Sequence, residues 1–321
     1  MTTTSSKLPV LAAYACLYLV WGTTYLAIAF AIETLPPFTS GALRFAVAAA
    51  LMFAWVLVRH PRQLRGLPWR HALVSGALLG GIGNGFVVWA QQGLPSGIVA
   101  LVVSAIPVIV LLFDWLFFTR KAPTGRALAG VGIAFVGVMT IVLQRHGVAG
   151  DAAPVYVFAI LCAVLAWSTG TLLQKRGTPP QQLLGVTCVQ MLAAALLQFV
   201  LAVANREWVG FDPGAVSLAS VLAVAYLAVF GSIIALNCYV WLLTREPASQ
   251  VATYALVNPI VAVVLGAVVL GETLTSTIMM GAAMVLGGVA LVLFRGWHPL
   301  TFLRRRPARA IAVQPAACDG C

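Results

Sequence analysis

The sequence predicts an all-α integral membrane protein with ten transmembrane helices arranged as an inverted 5+5 repeat. Three observations predict it. First, the 321 residues are 61% hydrophobic and 8% charged, whereas a soluble domain carries about 25% charged residues; the mean hydropathy is +1.00. Second, apolar runs long enough to cross a bilayer, which takes about 20 residues, follow one another with only short polar connections. Third, the second half echoes the first. A shift of 152 positions brings Pro95, Val99, Ala100 and Pro107 onto Pro247, Val251, Ala252 and Pro259, and Trp89 onto Trp241.

Taken in order, the spans are 9–32, 37–58, 72–92, 97–118, 127–144, 154–173, 182–203, 217–243, 248–270 and 274–294. Short connections make neighbouring spans antiparallel. Five spans per half is an odd number, so the second half enters the membrane upside down relative to the first. Further echoes keep the same order in both halves. Trp21-Gly-Thr-Thr-Tyr-Leu matches Trp167-Ser-Thr-Gly-Thr-Leu, and Pro36-Pro37 matches Pro179-Pro180. Gly130 and Gly137-Val138 match Gly281 and Gly288-Val289 at a shift of 151, with the two halves joined around 145–153.

Orientation follows from the basic residues. With the N-terminus in the cytoplasm, sixteen of the nineteen Lys and Arg fall on inside segments, and only Arg145 and Arg206 fall outside. Arg44 lies within a span. This bias predicts cytoplasmic N- and C-termini. The first apolar run is too long for a cleaved signal peptide, and no small-residue cleavage site follows it. The net charge of +11 does not point to nucleic acid, because the basic residues sit in short loops that set topology. Cys16, Cys162, Cys188 and Cys238 lie inside spans and read as packing residues. Cys318 and Cys321 form a lone C-x-x-C in a basic tail over 295–321, with no second pair to make a metal site. No cofactor is expected.

Enzyme chemistry needs a clustered nucleophile, base or metal set. The histidines (His60, His71, His146, His298) lie in loops or at span ends, and Asp114 is the one carboxylate inside a span. No enzyme is therefore expected. A channel would show a charged ring or a filter-like loop, and neither is visible.

The candidate site is a midplane cavity. Pro107 and Pro259 each lie about ten residues into their spans, counting about 1.5 Å per residue. A proline there lacks an N–H and frees a carbonyl four residues earlier, that of Ala255 in the second case. Such carbonyls are tolerated in a membrane only against protein or a water-filled cavity, so these prolines are expected helix breaks. At the same depth the sequence places Trp21, Thr24, Tyr25, Asn84, Ser104, Trp167, Tyr254 and Asn258, flanked by Trp89, Asn237 and Trp241. Singly, each reads as a packed or hydrogen-bonded helix contact; together they suggest an aromatic-lined, neutral cavity for substrate. Arg44 either snorkels outward toward Glu33 or a helix end, or serves as counter-charge to a substrate carboxylate. Asp114 reads as an interfacial ion pair near Arg120 and Lys121, with a proton-coupling role as the alternative. Glu272 reads as a helix-end or loop-pairing residue. The glycines of spans 5 and 10 mark scaffold, and a homodimer through these spans is the protein partnership they suggest.

These residues also carry a family resemblance. W-G-T-T-Y-L-A-I from Trp21, followed by P-P and R-F to Phe45, resembles the first signature of the EamA-type drug/metabolite transporters. P-A-x(8)-N-P-I-V-A-V-x-L-G, ending in G-E-T-L at Gly271 to Leu274, resembles the closing one. G-N-G at 83–85, P-S-G-I-V-A at 95–100 and F-G-S-I-I-A at 230–235 bring it nearest the bacterial drug/metabolite exporter branch. The resemblance implies two EamA units, 12–143 and 154–294, and alternating-access export of small organic metabolites or drugs across the bacterial inner membrane. Amino acids and related compounds suit the cavity. The first half departs from the pattern of the second, with Arg120-Lys121 where the second has Glu272. The competing readings are a channel and a non-transporting structural or regulatory membrane protein.

Overall fold

In hydrocarbon every backbone N–H and C=O must find a partner within its own segment, so long apolar runs fold as helices. The structure is a computed structural model. It describes residues 7–120, 122–143, 153–243, 245–246, 251 and 253–293. The basic tail with Cys318 and Cys321, the join around 145–153 except its last residue, and Pro247 lie outside the described residues.

The described residues form helices and turns, with no strand among them. The long helices are α1 (Lys7–Ala31), α2 (Pro37–Arg59), α3 (Trp69–Ala90), α4 (Ser96–Thr119), α5 (Gly125–Leu143), α6 (Ala153–Gly177), α7 (Leu183–Ala204), α8 (Leu218–Leu242), α9 (Tyr254–Val269) and α10 (Ser276–Leu293). Eight of them are long and apolar enough to cross a membrane; the apolar stretches of α5 (Gly125–Ile141) and α9 are shorter. The chain is a multi-pass membrane protein. α2 illustrates how one helix serves lipid and core together. Leu43, Val47, Leu51, Trp55 and Val58 form an exposed stripe, while Arg44, Ala48, Met52 and Val56 are buried on the opposite face.

Three departures from regular α-helix shape the interior. α3 widens to a π-helix over Ala77–Asn84, and α8 does so over Leu227–Ile234, an equal stretch 150 positions later. α4 is interrupted by a turn at Ser104–Ala105 and ends in a π-helical turn at Asp114–Thr119. α9 begins after a turn at Thr253, whose φ of −63° and ψ of −14° equal those of Ser104.

The expected breaks at Pro107 and Pro259 therefore need correction. Pro107 sits in the first turn of the second segment of α4, and Pro259 lies inside α9, which continues through it. Proline fits a first helical turn well, and its steric and hydrogen-bond penalties fall on the preceding turn. The chain yields upstream, at Ser104–Ala105 and at Thr253.

Close packing follows the glycines. α5 and α10 pair antiparallel: a methyl added to Gly130 would lie 2.7 Å from the Gly288 carbonyl oxygen, and one on Gly137 would lie 2.8 Å from that of Gly281. α2 and α7 also pair antiparallel, with Gly41 against Gln198 and the start of α2 against Glu207 near the end of α7. α1 packs on α8 and α9, α6 packs on α3 and α4, and α4 meets α9.

At one end of the bundle, two carboxylates cap proline-initiated helices. Glu207 accepts from the backbone N–H groups of Phe38 (2.9 Å) and Thr39 (2.8 Å). Glu272 accepts from those of Ser96 (2.6 Å) and Gly97 (3.0 Å). Both satisfy N–H groups that a helix start leaves without partners and sit at the positive end of the helix dipole. Glu272 thus ties the end of α9 to the start of α4.

Candidate functional site

A cavity of about 120 Å3 lies at the centre of the helix assembly. Its wall takes Trp21, Thr24 and Tyr25 from α1, Arg44 from α2 and Asn84 from α3. It takes Trp167 and Gln174 from α6, Gln190 from α7, Ser232 and Tyr239 from α8, and Tyr254 and Asn258 from α9. Helices from both halves of the sequence contribute.

The aromatic side is built around Trp21. Its ring meets Tyr254 edge-on at 5.0 Å, Tyr239 at 5.3 Å and Trp167 edge-on at 6.3 Å, and Tyr239 meets Tyr254 edge-on at 5.8 Å. Such tilted and T-shaped contacts suit the charge distribution of aromatic rings and hold them in fixed orientations. The indole N–H of Trp21 donates to the Gly231 carbonyl oxygen at 3.1 Å. Gly231 lies in the π-helical stretch of α8, where the wider turn alters the usual carbonyl pairing. The π-helical stretch of α3 is met in the same way, by the Gln198 amide donating to the Gly80 carbonyl oxygen at 2.7 Å.

The polar side is built around Arg44. This side chain is 6% exposed. Its Nε donates to the Ser232 hydroxyl at 2.9 Å, and one terminal nitrogen lies 3.4 Å from the Asn84 side-chain oxygen. Arg44 thus links the two π-helical stretches. The outward snorkel toward Glu33 is not what the structure shows: the side chain runs inward, because Ser232 and Asn84 offer acceptors there and Gly231 leaves room beside its other terminal nitrogen. Asn258, with its amide nitrogen facing carbonyls, donates to the backbone oxygens of Tyr18 (3.1 Å) and Tyr254 (3.3 Å). It therefore braces α1 against the first turn of α9.

Other residues singled out in the sequence lie elsewhere. Ser104 is buried and donates to the Leu101 carbonyl oxygen at 2.6 Å within its own helix. Asn237 likewise turns back onto its helix, donating to the Ile233 carbonyl oxygen at 2.7 Å. Trp89 stacks on Phe38 and meets Tyr156 in a separate aromatic cluster. Pro107 and Pro259 are off the cavity wall. Asp114 also lies off it and pairs with Arg176 at 3.0 Å, both side chains being about two-fifths exposed. Among the described residues its partner is Arg176 and not Arg120, because α6 brings Arg176, stacked 3.9 Å over Phe118, to the end of α4; Lys121, the other partner the sequence suggests, lies outside the described residues.

Sequence reasoning missed Ser232, Gln174, Gln190 and Tyr239. Gln190 could have been found: with Gln198 and Thr187 it interrupts an otherwise apolar α7, and the spacing of eight puts the two amides about 80° apart, within one helix face. Gln190 donates to the Ser75 hydroxyl at 2.8 Å.

An all-helical membrane bundle folded around a polar, aromatic cavity is an architecture that membrane transporters share. Comparison with known proteins makes it specific: the EamA-like transporter family matches residues 9–143 and 154–294, and this chain belongs to that family. It is 35% identical over 286 residues to the "Uncharacterized inner membrane transporter YedA" of Escherichia coli (strain K12), covering 89% of this chain and 90% of that one. It is 25% identical over 284 residues to a "Probable amino-acid metabolite efflux pump" of Salmonella typhimurium, covering 86% and 91%. A solved structure titled "Crystal structure of protein" superposes with a TM-score of 0.60 at 22% identity, covering 88% of this chain and 95% of that one. This last likeness concerns the fold.

Proposed function

We propose that this protein exports small organic metabolites or drugs across the bacterial inner membrane by alternating access, with the central cavity as the binding site. The observation that carries the reading is the cavity itself. Fixed aromatic faces and a few convergent polar groups, supplied by both halves of the chain, are what a small-molecule site requires. The two π-helical stretches border it, and such stretches concentrate at functional sites. The names of the two relatives, an inner membrane transporter and a metabolite efflux pump, support the location and the direction of transport.

We read the ten helices as ten spans in two EamA units, 12–143 and 154–294, inverted relative to each other, with cytoplasmic termini and a cytoplasmic tail. The packing supports this reading. The main contacts are kept when each helix is exchanged with the one five places along: α1 on α8 becomes α6 on α3, α1 on α9 becomes α6 on α4, and α2 on α8 becomes α7 on α3. The corresponding helices α5 and α10 run antiparallel, as do α2 and α7, which is what inversion requires. In such repeats alternating access is a rocking of one unit against the other about the site.

Two measurements test the proposal. Reporter fusions after residues 148 and 295 should report opposite sides of the membrane; the same side for both would remove the inverted repeat. Inverted vesicles from overexpressing cells should accumulate a solute saturably and specifically, whereas non-saturable flux would favour a pore.

A further inference from the structure

The proposed site contains one charged group. Among the described residues Arg44 forms no ion pair, and no carboxylate lines the cavity. A guanidinium offers five N–H donors in a rigid planar fork. Here one goes to Ser232 and one to Asn84, which leaves three without a hydrogen bond on a side chain that lines the cavity. The two hydrogen bonds anchor the fork to both π-helical stretches and fix its plane. A cation inside a membrane protein is costly and in general is paired or placed on a substrate pathway. An anchored, unpaired fork is a ready receiver for a planar carboxylate. The same cavity is lined by the Trp21–Trp167–Tyr239–Tyr254 aromatic group, whose Trp21 bonds the Gly231 carbonyl beside Arg44, and by no acidic residue to receive an ammonium.

We infer that the cavity selects small organic monocarboxylates with an aromatic or apolar body, the carboxylate docking on the free N–H groups of Arg44 and the body on the aromatic wall. The inference rests on the cavity being the transport site. It excludes lipophilic amines as good substrates, since Arg44 repels them and nothing on the wall neutralises them.

The test uses the purified full-length protein and three probes of matched shape: 3-phenylpropanoate, 3-phenylpropanamide and 3-phenylpropylamine. In direct titrations the acid should bind saturably and about ten- to a hundredfold more tightly than the amide, the range expected for hydrogen bonds to a charged group. The amine should bind most weakly. Arg44→Gln should remove the preference for acid over amide, and Arg44→Lys should retain part of it. Trp21→Ala should weaken acid and amide by the same factor. Equal affinity for acid and amide in the wild type, no saturable binding of the acid, or an unchanged preference in Arg44→Gln would each overturn the inference. The wild-type comparison needs no variant, so a poorly folded Arg44→Gln does not protect it. If Trp21→Ala alters neither probe, the cavity reading itself fails, an outcome distinct from loss of the charge preference alone.

Discussion

Glycine does two different jobs in two parts of this molecule. In α3 the glycines from Gly80 to Gly85 receive side chains from other helices, whereas Gly76 meets the Gln190 backbone. Gly83 faces the Trp167 ring, Gly81 faces Leu197, and Gly85 faces the Gln198 amide. In the α5–α10 pair the glycines receive backbone, with Gly130 and Gly288 meeting carbonyl to Cα and Gly137 and Gly281 doing the same seven residues away. The first arrangement makes an irregular, polar-bordered wall in which α3 leaves α-helical register. The second makes a regular seam, in which small residues let two helices approach closely. Helix packing in lipid gains little from the hydrophobic effect, so close approach is what holds α5 to α10. The same residue type therefore marks a binding wall in one place and a structural clasp in the other. What separates Gly80, Gly81 and Gly83 from the seam is that side chains of other helices, and not their backbone, lie opposite.

The largest effect should come from the seam. A methyl on Gly288 would lie 2.5 Å from both the Ala134 nitrogen and the Gly130 carbonyl oxygen, whereas a methyl on the adjacent Gly287 would meet nothing within 4 Å. Backbone on both sides cannot swing away, so Gly288→Ala should destabilise the protein by at least the roughly 1–3 kcal/mol typical of overpacking. Thermal unfolding of the purified protein should show a clear drop in midpoint for Gly288→Ala and a near wild-type value for Gly287→Ala. Substrate affinity of Gly287→Ala should also match wild type. Equal midpoints for the two would mean that the seam is not a clasp. A dimer through α5 and α10, which the glycines suggest, would have to use the faces of Gly132 and Gly287, which are open, because Gly130, Gly137, Gly281 and Gly288 already face each other within the chain.

The next effect belongs to the wall. Trp21→Ala, Trp167→Ala and Asn258→Ala should each weaken substrate binding by about 1–3 kcal/mol, roughly ten- to a hundredfold, with normal membrane insertion. Asn258 differs from the two indoles, because it spends its donors on the Tyr18 and Tyr254 carbonyls. Its loss should loosen the start of α9 and lower thermal stability as well, while the tryptophan variants should mainly lose affinity. Direct binding and unfolding measured on the same samples separate the two patterns.

Much of this organisation was legible in the chain and some was not, for physical reasons. Long apolar runs bounded by Arg, Pro and Gly can satisfy their backbone in only one way, so the helical stretches emerge from composition and periodicity. Depth along a helix is also legible, because rise per residue is constant, and it puts Trp21, Trp167, Tyr254 and Asn258 at one level. Direction around the helix was harder. Ser104 and Asn237 lie at plausible depths but turn back onto their own carbonyls, a choice open to any short polar side chain in a helix. The π-helical stretches were not legible at all. Their register is held by partners distant in sequence, Gln198 for Gly80 and Trp21 for Gly231. The inward course of Arg44 follows from the same fact, since its acceptor Ser232 belongs to one of those stretches.

The smallest effect should come from the charged pair that belongs to neither wall nor seam. Asp114 is the one carboxylate the sequence places inside a span, which made it the natural candidate for proton coupling. In the structure it lies at the end of α4, accepts hydrogen bonds from Arg176 (3.0 Å) and the Thr119 hydroxyl (3.1 Å), and has no place on the cavity wall. Its side chain is 35% exposed and that of Arg176 is 43% exposed. Partly exposed pairs of this kind contribute less than about 1 kcal/mol, because water screens the attraction and ordering two side chains costs entropy. Asp114→Asn should therefore leave substrate affinity at the wild-type value and shift thermal stability only slightly. It should also leave the dependence of flux on an imposed pH gradient unchanged, since a carboxylate off the wall cannot exchange its proton for substrate there. Flux measured in vesicles with and without the gradient decides the matter. A mutant that still transports but no longer responds to the gradient would put Asp114 on a proton path that the cavity geometry does not include.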